Sequence, residues 1–445
     1  MNNVEKNKQI ITALATPYGK SAVAVIRMSG DGCIELAEKF LVKKISHGQI
    51  KYNVFRNGEF KENLMAAAFV EPNSFTGQDT VELYPHGNMT VCENIIKALT
   101  EGGARLAERG EFTKRAFLNG KLDLMQCEAL ADIIDAQTGE QLIYGNKRYD
   151  GGFTELKTAE SLLKTALSTV EAVLHYSDEL EENETDERLM HDVRTAVDGC
   201  IKILEKEKRG FAGGKIVNDG FKVVLIGAPN VGKSTLLNAL IGSDRAIVTP
   251  IAGTTRDTVE GSYVYGGQKF VITDTAGLND VTADEVEKIG ISRAKTAAVE
   301  ADAVVIVQTR EQKTEIDISE FAETVIIVNK SDETPDVGKD YMKAEKDGKI
   351  EISAKNGINI IALKQKLLDL CPKDYGSVCN HRQYGCILCS LDSIYEAKKE
   401  LQTAEGLEIV AALLYEAYSA IAELHGEKAD EQVISAVFDR FCVGK

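Results

Sequence analysis

The chain has 445 residues, of which 44% are hydrophobic and 27% charged, enough apolar material for several packed cores. A formal net charge of -17 argues against a general nucleic-acid binder, which needs a basic footprint, but leaves room for a structured RNA held by a local patch. No apolar run is long enough to span a bilayer, and Met1 to Gln9 lacks the basic-then-apolar order of a secretory leader, so no membrane and a cytoplasmic location are expected. Nine scattered cysteines in such a chain fit reduced thiols.

Residues 10–118 alternate short apolar runs with glycine-rich turns. Residues 22–27 are predicted as a buried strand ended by Ser29-Gly30, 34–40 as helix, 81–84 as strand and 91–99 as helix. From Leu122 the pattern becomes helical: Leu124, Ala129, Leu130, Ile133 and Ile134 share a face. Leu156, Ala159, Leu162, Leu163, Ala166, Leu167, Val170, Val173 and Leu174 then mark a long amphipathic helix. The acidic residues 178–187 are predicted as a solvated loop, helix resumes through Ile201 and Leu204, and the glycines of 210–214 are predicted to break it. Residues 221–375 alternate strands with helices, and after Cys371-Pro372 helices return at 411–424 and 433–438. The expected fold class is α/β plus all-α, with four segments: 1–120 α/β, 121–215 helical, 216–376 an inserted strand–helix domain, and 377–445 helical again.

Within that insert, the strand Phe221-Lys222-Val223-Val224-Leu225-Ile226 runs into Gly227-Ala228-Pro229-Asn230-Val231-Gly232-Lys233-Ser234, and helix follows. This is G-x-x-x-x-G-K-S in its required setting, a loop whose backbone N–H groups and helix N-terminus face phosphates. Asn230, Val231, Gly232, Lys233, Ser234 and Thr235 are the candidate phosphate contacts, with Lys233 on the β/γ-phosphates and the Ser234 hydroxyl on magnesium. Thr254-Thr255 follows in Ile251-Ala252-Gly253-Thr254-Thr255-Arg256-Asp257, where a threonine can close the magnesium shell. The strand 270–273 then delivers Asp274-Thr275-Ala276-Gly277, with Asp274 placed for magnesium through water and the Gly277 N–H for the γ-phosphate. After the strand 325–328, Asn329-Lys330-Ser331-Asp332 supplies a carboxylate that reads the N1–H and amine of guanine, a donor pair adenine lacks. Ser353-Ala354-Lys355 completes the base site. Five elements in this order define a magnesium-dependent GTP site.

Leu278 stands where many small GTPases carry a water-orienting glutamine, so catalysis needs another group, an ion or a partner surface. Asn230 has a side-chain carbonyl that could ligate a monovalent cation, together with the oxygen-rich loop at 249–254. It could equally be a turn residue, and chemistry alone leaves both readings open.

Gly-x-Pro-Asn-Val-Gly-Lys-Ser, Gly-Thr-Thr-Arg-Asp and Asp-Thr-Ala-Gly-Leu resemble the TrmE–Era–Der class of GTPases. Ala13-Leu14-Ala15-Thr16-Pro17, Ser74-Phe75-Thr76-Gly77, Gly110-Glu111-Phe112-Thr113, Arg115-Ala116-Phe117-Leu118-Asn119-Gly120-Lys121-Leu122-Asp123 and Phe441-Cys442-Val443-Gly444-Lys445 narrow the resemblance to the MnmE (TrmE) family of tRNA-modification GTPases, over essentially the whole chain. That resemblance implies an N-terminal folate-binding and dimerisation domain, a central helical domain and an inserted Ras-like P-loop G domain. It implies potassium activation in a homodimer, with Asn230, Thr249, Ile251 and Thr254 as potassium ligands, Ser234 and Thr255 serving magnesium, and Glu287 positioning water. It assigns folate contacts to Arg27, Glu82, Lys121 and Lys445, for 5,10-methylenetetrahydrofolate or its analogue 5-formyl-tetrahydrofolate, and a role in modification to Cys442. It also implies tRNA and an FAD-dependent MnmG flavoprotein as partners, the latter in a heterotetramer that modifies the wobble uridine.

For Arg27 and Glu82 a structural ion pair is the competing reading, and for Cys442 an inert thiol. Three departures from the family pattern, at 18–24, at Tyr84-Pro85-His86 and at Asn279, are expected to leave the assigned ligands untouched. Cys386-x-x-Cys389 is read as a pair of buried helix thiols, since no second pair completes a zinc site. A GTPase switch in ribosome assembly is the alternative function. Neither a KH-type domain nor a second G domain is evident in the sequence.

Overall fold

The computed structural model describes residues 9–176, 184–242, 259–274, 297–313, 323–333, 345–346, 348–402 and 406–445. Two units follow from its contacts, one of 1–134, 148–151 and 418–445, the other of 135–147 and 152–417.

The first unit holds a sheet of β1 (Ile11–Leu14), β2 (Ile26–Ser29), β3 (Lys51–Asn57), β4 (Phe60–Phe69), β5 (Thr80–Tyr84) and β6 (Arg105–Leu106), in the order β3-β4-β5-β2-β1-β6. Only the β1–β6 pair is parallel. Side chains alternate faces along a strand. Ile26, Met28, Val81, Leu83, Leu64 and Ala66 therefore pack with Leu36 of helix Cys33–Glu38 and Ile95 and Leu99 of helix Met89–Glu101. Arg27 and Glu82, directly paired across β2 and β5, fall on the opposite face. The second strand starts four residues later than predicted. Residues 21–25 do bond to 85–87, through Ser21 N to Gly87 O and Ala24 N to Pro85 O. Pro85 has no N–H to return, so no regular ladder forms there.

In the same unit, helices Glu111–Leu118, Leu124–Asp135 and Glu431–Phe438 enclose Ala116, Leu124, Cys127, Val437, Phe438 and Phe441. The last residues then return to the sheet. Phe112 N donates to Lys445 O at 3.3 Å, Arg109 bridges to Val443, and Gly444 turns at φ 98 where a Cβ would collide with the Leu14 carbonyl.

In the second unit, helix Thr154–Tyr176 packs on helix Glu184–Asp219. The most deeply buried positions, Leu156, Ala159, Leu163, Ala166, Val170 and Val173, follow a three–four alternation, a coiled-coil seam narrower than the predicted stripe. Two expectations fail here. Residues 184–187 of the acidic run are helical, while 177–183 lie outside the described residues. The glycines of 210–214 do not break the helix, which continues to Asp219. They give backbone access instead: a Cβ at Gly210 would collide with Gly376 N, at Gly213 with Asp374 O, and at Gly214 with Val378 O. Glu207, 4% exposed, fixes this crossing by accepting from Ser377 N at 2.8 Å. Helix His381–Glu400 then runs along the long helix, with Phe211 stacked on Tyr384 and Lys398 paired to Asp198 at 2.7 Å. In this helix Cys386 is buried but Cys389 is exposed, correcting the expectation of two buried thiols. The two sit three positions apart, which turns them about 60° from each other around the helix.

The inserted domain has β7 (Phe221–Ile226), β8 (Val259–Tyr265), β9 (Gln268–Asp274), β10 (Ala303–Gln308), β11 (Thr324–Val328), β12 (Glu345–Lys346) and β13 (Lys349–Glu351), ordered β12-β13-β11-β10-β7-β9-β8. β13-β11-β10-β7-β9 is parallel and the two edge strands are antiparallel. This is the Ras-like order expected. Parallel strands are covered on both faces, and β10 is accordingly buried at every residue. Helices Lys233–Gly242 and Ile360–Leu370 contribute Leu236, Leu237, Leu363 and Leu367 to that core. Among the described residues, no helix is long and apolar enough to cross a membrane.

Candidate functional site

In a parallel α/β sheet, loops at the carboxyl ends of the strands gather on one edge, where ligands bind. The described parts of four nucleotide motifs are there, Ser353-Ala354-Lys355 following β13. β7 opens into Gly227–Gly232, β9 ends in Asp274, and β11 ends before Asn329. The phosphate loop is shaped by two left-handed residues, Asn230 at φ 65 and Gly232 at φ 98. Asparagine tolerates that region and glycine prefers it. At Gly232 a side chain is also excluded, since a Cβ would collide with the Asn329 amide.

Lys233 opens the following helix and is 5% exposed. Its ammonium donates to Gly227 O at 2.8 Å and Ala228 O at 3.1 Å, closing the loop on itself with a charge that phosphate oxygens can take over. Burial pulls the Lys233 pKa down, partly opposed by the Asp274 carboxylate. Ser234 Oγ donates to Asp274 Oδ2 at 2.7 Å. A hydroxyl from the first turn of the helix after β7 and a carboxylate at the end of the adjacent parallel strand β9 are the hard oxygen donors that magnesium takes, so these residues fit that ion. Thr235 is exposed on the same helix turn.

The base side is organised by Asn329, which is 4% exposed. Its Nδ2 donates to Val231 O at 2.8 Å, and its Oδ1 accepts from Ala354 N at 3.0 Å. One side chain thus ties the phosphate loop to the last base-side loop. Lys330 turns the chain at φ 62 into the short helical turn Ser331–Glu333. Asp332 is presented from that turn, and Ser353 Oγ donates to its Oδ1 at 2.7 Å. That bond, first among several, holds the Asp332 carboxyl below the usual range, in the charged, acceptor-only form. Lys355 is exposed beside them. Thr249, Ile251, Thr254, Thr255, Thr275, Ala276, Gly277 and Glu287 lie outside the described residues.

A second cluster occupies the outer face of the N-terminal sheet. Arg27 Nε donates to Glu82 Oε1 at 2.9 Å, and Arg27 Nη1 donates to Gly444 O at 3.3 Å. The Phe112 and Phe75 rings lie 5.7 and 6.0 Å from the guanidinium carbon. Phe75 belongs to a turn braced by polar contacts: Ser29 Oγ to Thr76 Oγ1 at 2.7 Å, Asn119 Nδ2 to Thr76 O at 2.7 Å, and Arg115 Nη1 to Gln78 Oε1 at 3.1 Å. Lys121 reaches the same turn, donating to Pro72 O at 3.1 Å. Arg27, Glu82 and the tail before Lys445 are therefore brought together, with Lys121 on the flanking turn. Cys442 is exposed. Tyr84 was expected to leave the assigned residues alone, yet its hydroxyl donates to Glu82 Oε2 at 2.6 Å. The two-residue spacing from Glu82 in a strand was the available signal, because it puts both side chains on one face.

A Ras-like sheet that brings the phosphate-loop motif, Asp274 and the Asn329–Asp332 motif to one edge defines a P-loop GTPase. The model of the GTP-binding protein TrmE N-terminus matches residues 10–121, and that of the MnmE helical domain matches 124–442. The tRNA modification GTPase MnmE of Streptococcus thermophilus is 32% identical over 464 residues, covering 100% of both chains. That of Flavobacterium johnsoniae is 36% identical over 471 residues, covering 99% of this chain and 100% of its own. The chain belongs to the MnmE family of tRNA modification GTPases. Among solved structures, Aquifex aeolicus Era bound to GDP and aluminium fluoride is 25% identical, covering 39% of this chain and 66% of its own at a TM-score of 0.26.

Proposed function

We propose that this chain is a potassium-activated GTPase that, with an FAD-dependent flavoprotein of the MnmG kind, installs a carboxymethylaminomethyl-type group at C5 of the wobble uridine of certain tRNAs. The observation that carries the reading is a P-loop nucleotide site and a separate Arg27–Glu82 cluster in one chain that aligns end to end with tRNA modification GTPases. In this reading residues 1–120 bind folate and dimerise, 121–215 and 377–445 form the helical domain, and 216–376 hydrolyse GTP.

Ser234 and Thr255 serve magnesium, with Asp274 acting through water. Asn230, Thr249, Ile251 and Thr254 hold potassium, which supplies positive charge beside the phosphates, and Glu287 orients the attacking water. Arg27, Glu82, Lys121 and Lys445 hold 5,10-methylenetetrahydrofolate, the source of the one-carbon unit, and Cys442 is an exposed thiol on the same tail. The chain works as a homodimer in the cytoplasm, within a heterotetramer with its flavoprotein partner. That partner carries much of the tRNA contact, which accommodates a net charge of -17 on this subunit.

Deleting the gene in its host and analysing digested tRNA by liquid chromatography and mass spectrometry tests the proposal. Loss of the C5-aminomethyl-type nucleoside, restored by the wild-type gene, is the expected result. Unchanged tRNA with accumulating ribosomal-subunit precursors would overturn it in favour of an assembly switch.

A further inference from the structure

The outer face of the N-terminal sheet carries a carboxylate whose two oxygens are held by different groups. Arg27 Nε donates to Glu82 Oε1 at 2.9 Å, and Nη2 lies 2.8 Å from that same oxygen. Arginine and carboxylate commonly meet as a fork, one N–H on each oxygen. Here the guanidinium converges on one oxygen only. The other, Oε2, accepts from the Tyr84 hydroxyl at 2.6 Å. The remaining arm of Arg27 is committed to Gly444 O, and rings of Phe112 and Phe75 flank its guanidinium. With the arginine held from several sides, the last torsion of Glu82 is the soft coordinate, broad in a free glutamate. Tyr84 is the group that sets it.

We propose that Tyr84 is a positioning and specificity residue, whose hydroxyl keeps the Glu82 carboxylate from closing into a fork on Arg27 and so keeps Oε2 available to a single ligand N–H donor, such as one on the 2-amino-4-oxo edge of a pterin. This rests on the folate reading above. A carboxylate oxygen accepts two hydrogen bonds, so Oε2 can serve the phenol and a ligand N–H together. The Glu82 side chain is 17% exposed, held yet reachable. Burial, then the bond to Glu82, pushes the Tyr84 pKa up, so the phenol stays a donor. Without the hydroxyl, Glu82 and Arg27 satisfy each other as an ordinary structural ion pair. Tyr84 thus separates the two readings that the sequence left open for that pair.

The test is the affinity of the full chain for 5-formyl-tetrahydrofolate, measured by isothermal titration calorimetry for wild type, Tyr84→Phe, Tyr84→His, Glu82→Gln and the Tyr84→Phe/Glu82→Gln double variant. Tyr84→Phe should bind about tenfold more weakly, the usual effect of a hydrogen bond to a charged group. Its melting temperature should stay within about 2 °C of wild type. Tyr84→His, which returns an N–H donor, should recover affinity. In the Glu82→Gln background Tyr84→Phe should add nothing, because the hydroxyl acts through the carboxylate. Equal affinity of Tyr84→Phe and wild type, or additive losses in the double variant, overturns the proposal and leaves the folate reading standing. A wild-type chain that does not bind sinks the folate reading itself, and the proposal with it.

Discussion

Replacing Asn329 with alanine unties the phosphate loop from the base-side loop. The change removes the bond to Val231 O at 2.8 Å and the bond from Ala354 N at 3.0 Å, at a site 4% exposed. Each bond contributes about 1 kcal/mol net, and each backbone group deprived of its partner in a buried setting costs roughly 1 kcal/mol more. The sum is about 3–4 kcal/mol. In a domain of this size about 1 kcal/mol corresponds to roughly 2–4 °C, so the domain should melt about 6–15 °C lower. Differential scanning calorimetry of the nucleotide-free chain reads that shift. A fluorescent GDP analogue should bind at least about tenfold more weakly, since the loops must be re-ordered on binding. Asn329→Asp should be worse than alanine, because it turns a carboxylate oxygen toward the Val231 carbonyl. A melting temperature and GDP affinity unchanged in Asn329→Ala would refute the view that this residue couples the loops.

Other outcomes follow from the packing and the charges. Gly210→Ala should destabilise by about 1–3 kcal/mol in urea denaturation, since its methyl group meets the Gly376 backbone, whereas Gly385→Ala, open on its helix, should stabilise by about 0.5–1 kcal/mol. Burial raises the Glu111 pKa, but Arg105, the Glu108 amide and Arg115 outweigh it and hold the carboxyl below its ordinary value. Its contribution is therefore complete above the unfolded pKa of about 4.3 and lost as pH falls through the lower folded value. Glu111→Gln should accordingly cost about 3 kcal/mol at pH 7, because Arg115 is 1% exposed and loses its carboxylate. That difference from wild type should shrink below about pH 4 in a series of denaturation curves, and a cost independent of pH would contradict the assignment.

The nucleotide site was readable because each part is a short contiguous motif on a strand whose apolar run is itself diagnostic. Phe221 to Ser234 and Val325 to Asp332 need no distant partner to be recognised. What the sequence concealed depends on residues far apart in the chain. The glycines at 210, 213 and 214 look like helix breakers by propensity. They are helical because the backbone of 374–378 lies directly on them, and nothing local announces that contact. The late start of β2 has the same origin, a missing proline N–H in the strand opposite. The dual role of Asn329 was hidden for a related reason: its motif names it as a base-side residue, while its amide reaches back 98 positions to the phosphate loop. Tyr84 departs from the family pattern, and its bearing on the site comes from the strand face it shares with Glu82.

The central claim is a GTPase driven by potassium, and steady-state GTP hydrolysis in potassium chloride against sodium chloride at equal ionic strength tests it most directly. Asn230 sits at φ 65, so alanine there would add backbone strain of about 1 kcal/mol and confuse the result. Glycine keeps the turn and removes only the candidate ligand. The account predicts faster turnover of the wild type in potassium, with that advantage lost in Asn230→Gly. Equal wild-type rates in the two salts would contradict it.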